Sequence, residues 1–87
     1  MSVPQLTRDV RGVPLWLWRE YLVEMGGVAH GDDRIVGEGW EARLTQLPDY
    51  QIGSLRVGEV RVELLGEEPT FSRIKAQLER KLIRAGG

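Results

Sequence analysis

The sequence predicts an α+β fold: a two-layer sandwich in which a helix, a three-stranded antiparallel meander and a second helix follow one another. Three observations predict it. Between Pro14 and Gly26-Gly27 the apolar residues recur with a helical period. From Trp40 to Leu64 they alternate with a period of two, and from Phe71 the helical period returns. Both helices need the same apolar sheet face, so both are expected on one side of it.

Each element has its own signal. Leu6, Arg8 and Val10 alternate with Thr7, Asp9 and Arg11, which allows a fourth, edge strand before the first helix. Pro14 suits the first helical position, and Gly26-Gly27 suits a stop just beyond Met25. Leu15, Leu17, Trp18, Tyr21, Leu22 and Met25 share one arc, which should face the core, while Arg19, Glu20 and Glu24 fall outside it. Residues 28–39, polar and glycine-rich, read as a loop with room for a short strand at Arg34 to Val36. In the meander, Trp40, Ala42 and Leu44 oppose Glu41, Arg43 and Thr45, and Pro48-Asp49 is the expected turn. A second strand from about Gln51 to Val57 and a third carrying Val60, Val62 and Leu64 are expected on either side of Gly58-Glu59. The outer face alternates arginine with glutamate, which suits water. Thr70 is the expected cap of the last helix, whose apolar stripe is Phe71, Ile74, Leu78, Leu82 and Ala85, with Gly86-Gly87 after it.

Composition narrows the function classes. Eighty-seven residues, 41% hydrophobic and 29% charged with a net charge of −1, describe one domain, residues 1–87, around one core. Electrostatic binding must then be local. The absence of cysteine excludes a disulfide framework, a thiol nucleophile and a zinc-thiolate site within the chain. No stretch has the apolar length of a signal peptide or a membrane span, so a cytoplasmic protein away from membranes is expected. The chain lacks asparagine, and Lys75 and Lys81 are its only lysines, a bias that points to a thermophilic source.

Three constellations could carry chemistry. His30, in Ala29-His30-Gly31-Asp32-Asp33, has two carboxylates nearby that could join it on a metal or orient it as a base. Its spacing matches no metal motif, and a polar turn explains the same residues, so no metal, cofactor or catalytic residue is assigned. No phosphate loop, dinucleotide fingerprint or nucleophile elbow occurs, and Ser2, Ser54 and Ser72 have no neighbouring base, which weighs against an enzyme. On the last helix Arg73, Arg80 and Arg84 form a cationic ridge beside Gln77 and Lys81 that could meet phosphates. A solvated face explains the same residues better, and Glu79 and Glu67-Glu68 oppose the binding reading. Finally, Trp16 and Val23, seven residues apart on the first helix, lie off the core arc. Either they contact a partner, or the 28–39 loop or the N-terminal segment covers them.

The helix, meander, helix order resembles the double-stranded-RNA-binding domain in outline over most of residues 14–85. That family presents a lysine cluster at the start of its last helix; here the matching stretch is Glu67-Glu68-Pro69-Thr70-Phe71-Ser72-Arg73, so no binding residues are carried over. In Val13-Pro14-Leu15-Trp16-Leu17-Trp18-Arg19-Glu20-Tyr21-Leu22 and in size, the chain is similar to small functionally uncharacterised α+β families of thermophilic bacteria, a resemblance that implies no activity. The expected function is a non-enzymatic interaction or accessory module that self-associates or binds a protein partner through Trp16 and Val23. The alternatives are a nucleic-acid binder using the arginine ridge and a small enzyme with a site in the 28–39 loop.

Overall fold

The periodic stretches become seven elements: β1 (Gln5–Arg11), α1 (Leu15–Glu24), β2 (Val28–His30), β3 (Arg34–Gly37), β4 (Trp40–Ile52), β5 (Leu55–Gly66) and α2 (Thr70–Gly86). The computed structural model describes residues 4–86, with side-chain surroundings as far as Ile83. The strands form one five-stranded sheet in the order β1-β5-β4-β3-β2, every neighbouring pair antiparallel. The N-terminal edge strand is therefore present. It pairs with β5 from Gln5↔Leu65 to Arg11↔Glu59.

A single apolar cluster joins the layers. Val10, Ile35, Ala42, Leu44, Val60, Val62 and Leu64 supply the sheet side, Trp18 and Leu22 come from α1, and Phe71, Ile74 and Leu78 come from α2. The sheet residues share one parity of the ladder, so both helices cover the same face, as two-layer packing requires. Trp40 closes the core at one end, its indole lying against Gly37 and Gly27 where a Cβ would collide with it.

Three local expectations are corrected. The 28–39 segment is more than a loop: the short strand expected at Arg34 to Val36 is β3, and β2 joins it in a hairpin across Gly31-Asp32-Asp33, with positive φ at Gly31 and Ile35 anchored in the core. Pro48-Asp49 is not a turn. It is a bulge inside β4, where the register passes from Leu47↔Glu59 to Tyr50↔Val57 and two residues oppose Gly58. Nor does Gly58-Glu59 end a strand, since β5 runs through it unbroken and the reversal comes at Gly53-Ser54. Positive φ at Gly53 alone fits the type II′ turn that suits the twist of two strands. The three-stranded meander is thus two long strands, and their distal halves project as an arm beyond Leu47 and Glu59. The cap of α2 is also reassigned: Glu68, rather than the Thr70 hydroxyl, accepts from a first-turn N–H, that of Ser72, at 2.9 Å. With five strands and a strand before α1, the likeness to the double-stranded-RNA-binding domain does not extend to the topology.

Candidate partner-binding face on the first helix

α1 is fixed at both ends by backbone bonds. The Pro14 carbonyl, at the N-cap rather than at N1, accepts from Trp18 N–H at 3.2 Å. At the other end Gly26 N–H donates to the Val23 carbonyl and Gly27 N–H to that of Leu22, the paired bonds of a Schellman motif, with φ of +104° at Gly26. Trp18 and Leu22 are thereby pinned in the core, and Tyr21 meets the Trp18 ring edge-on at 5.6 Å between centroids. The Trp18 indole Nε1 is buried with no hydrogen-bond partner among the described residues, so this ring is held by packing alone.

The opposite side of α1 is open. Trp16 is 56% exposed and Val23 44%. Beside Val23 lies a shallow recess of about 260 Å³ lined by Arg19, Glu20, Val23 and Glu24. The β2–β3 hairpin does reach α1, through the Arg19 Nη1 that donates to Asp32 Oδ1 at 2.7 Å, but it leaves both apolar residues uncovered. β1 belongs to the far edge of the sheet and covers neither. The structure thus brings Trp16 and Val23 to one solvent-facing side of a rigid helix.

The other candidates are placed differently. Arg73 and Arg80 are exposed on α2 and take part in no ion pair among the described residues. The side chain of Arg84 lies outside the described residues. Lys81 is committed to Glu24, at 3.0 Å, and to the Tyr21 ring, while Glu79 faces Arg8 at 3.7 Å. The ridge reduces to two described arginines beside an acidic neighbour. His30 is exposed at the end of β2, and among the described residues no group of three histidine, aspartate or glutamate side chains converges as a metal site would need. No helix among the described residues is long and apolar enough to cross a membrane.

The sheet face away from the helices is a network of exposed ion pairs. Arg61 donates twice to Asp9, at 2.9 and 3.2 Å, and this bond holds the Asp9 carboxyl below the usual carboxylate range. Arg34 and Arg43 both donate to Glu41, with the same effect on its carboxyl.

A family model described as archaeal MoaD-like protein matches residues 6–87. The chain belongs to the archaeal MoaD-like protein family. No curated protein matches it. The match begins within β1, so most of the edge strand, the β2–β3 hairpin and the exposed face of α1 lie inside the matched residues. The family is small and α+β, as the sequence suggested, and its description is archaeal where families of thermophilic bacteria were expected.

The arm went unrecognised in the sequence. Tyr50, Ile52 and Leu55 are all exposed on it, and the available signal was the change of apolar parity at Gly58, from Leu55 and Val57 to Val60, Val62 and Leu64. That change reads equally well as a turn between two strands.

Proposed function

We propose that the chain is a non-enzymatic protein-interaction module whose partner-binding surface is the Trp16/Val23 side of α1, the partner being a second copy or another protein. The observation that carries this reading is a tryptophan more than half exposed on a helix whose own backbone and core contacts hold it rigid. Tryptophan is costly to leave in water and is enriched among the residues that dominate binding energy. A rigid helix presents it with little ordering entropy left to lose. The recess beside Val23 gives the contact an apolar floor with charged margins at Arg19, Glu20 and Glu24, the arrangement of an interface core and rim. Two exposed arginines beside Glu79 on a chain of net charge −1 offer phosphates far less.

Light scattering at high micromolar concentration, wild type beside Trp16→Ser, tests the self-associating form. A wild-type mass above the monomer that falls on substitution is expected; a mass indifferent to the substitution refutes it. Acrylamide quenching is a second readout, because Trp18 and Trp40 are buried and Trp16 dominates the accessible fluorescence. A bound partner of either kind shields that component.

A further inference from the structure

We propose that the outer face of the β4–β5 arm, formed by Tyr50, Ile52, Leu55 and Val57, is a docking surface for a second copy of this chain. The argument starts from parity. In the body of the sheet Ala42, Leu44, Val60 and Val62 point to the helices, and the opposite parity carries the ion pairs. Beyond Glu59 the pattern inverts. Leu55 and Val57 have the parity of Glu59 and Arg61, which is the helix-free side, while Arg56 has the parity of Val60.

On β4 an unbroken alternation would have placed Tyr50 and Ile52 on the helix side. The bulge at Pro48-Asp49 shifts the phase by one residue, so that Tyr50 pairs with Val57 and Ile52 with Leu55 on the outer side. Arg11, also outer by register, confirms the direction: its guanidinium lies 3.4 Å from the Tyr50 ring centroid. Four apolar side chains are thereby gathered on the helix-free face of a two-stranded ribbon, with Ile52 54% and Leu55 67% exposed. A two-stranded ribbon with an open apolar face is marginal in water until another layer covers it.

Charge favours a second copy as that layer. Asp9–Arg61, Arg11–Glu59 and Arg34–Glu41–Arg43, with Glu63, give the rest of the outer face four cations and four anions. Such a face repels neither itself nor a neutral surface, and it attracts neither nucleic acid nor an anionic membrane. A two-fold contact brings the same patch to both sides and needs this kind of self-compatibility. The arm face is opposite to the helix layer, so this contact is independent of the one proposed for α1.

Sedimentation and light scattering of Ile52→Ser/Leu55→Ser, made in the Trp16→Ser background, test it. Trp16→Ser alone is expected to remain a dimer, and the added arm substitutions to lower the mass about twofold, with an unchanged far-ultraviolet spectrum showing that the fold persists. A Trp16→Ser protein already monomeric at high micromolar concentration, or a dimer indifferent to the arm substitutions, overturns the proposal. So does binding of the monomer to phosphatidylcholine vesicles that Ile52→Ser abolishes, because it assigns the arm to a lipid surface. The self-associating form of the α1 proposal fails on a different result, a mass unaffected by Trp16→Ser in the presence of the Ile52→Ser/Leu55→Ser pair.

Discussion

Trp40 shows how much single glycines carry in this chain. A Cβ at Gly37 would lie 2.0 Å from the indole Nε1, and one at Gly27 would lie 2.3 Å from the Ile35 side chain, which is fully buried. Neither neighbour can retreat without opening the core, so Gly37→Ala is expected to lower stability in urea by about 1–3 kcal/mol, the usual range for overpacking. Deleting volume is costly too. Leu78, 1% exposed between helix and sheet, should lose about 2–5 kcal/mol on replacement by alanine in the same assay.

The surface carboxylates act through pH instead. Asp9, Glu41 and Glu68 are held below their ordinary range by Arg61, by Arg34 and Arg43, and by Ser72 respectively. A folded-state pKa below the unfolded one gives stability that is present above the unfolded value, about 4 for these groups, and lost as pH falls through the folded value. The melting temperature is therefore expected to drop on acidification below that range. In Asp9→Asn the drop should be shallower; an identical profile would show that the Arg61 pair contributes nothing measurable, as many exposed pairs do not.

At the scale of elements, the glycine pair after α1 and the long hairpin carry the clearest consequences. Gly26→Ala forces a side chain onto a residue with φ of +104°, and a loss of about 1 kcal/mol is expected from urea titration. From Tyr50 to Val57, β4 and β5 pair only with each other among the described strands, whereas Ala42 to Leu44 are flanked on both sides. Amide exchange in a monomeric variant should be fast from Tyr50 to Val57 and slow at Ala42 to Leu44.

These elements also mark where the sequence was legible. The arcs of α1 and α2 and the parity of Trp40, Ala42 and Leu44 could be read directly, because each buries a periodic set against one core, while the alternation at Leu6–Val10 only allowed the edge strand. The β2–β3 hairpin was obscured because a three-residue strand has too few positions to show a period, and only Ile35 on it is buried. The arm was misread for a subtler reason. Pro-Asp and Gly-Glu are turn-forming pairs, and a strand whose apolar side changes where the helices end looks like two strands. Trp16 and Val23 stood out because they broke a period that was otherwise clear.

Among the described residues, exposed apolar side chains lie on opposite sides of the molecule, Trp16 and Val23 on the helix layer and Ile52 and Leu55 on the open sheet face. A dimer joined through the arms would therefore display two copies of the α1 face pointing away from each other. Such an arrangement raises apparent affinity for any partner that itself has two sites, without a new contact.

The pairing of β1 with β5 has a consequence for how the chain is made. β1, made before the other described strands, has as its neighbour among the described residues the last of them, β5, from Gln5↔Leu65 to Arg11↔Glu59. At the usual pace of translation the segment carrying Leu6 and Val10 waits roughly 3–10 s before its partner exists. During that interval an edge strand rich in backbone donors and acceptors is available to other chains. The alternating Arg8, Asp9 and Arg11 along it are the charges that keep such a strand from pairing with strangers.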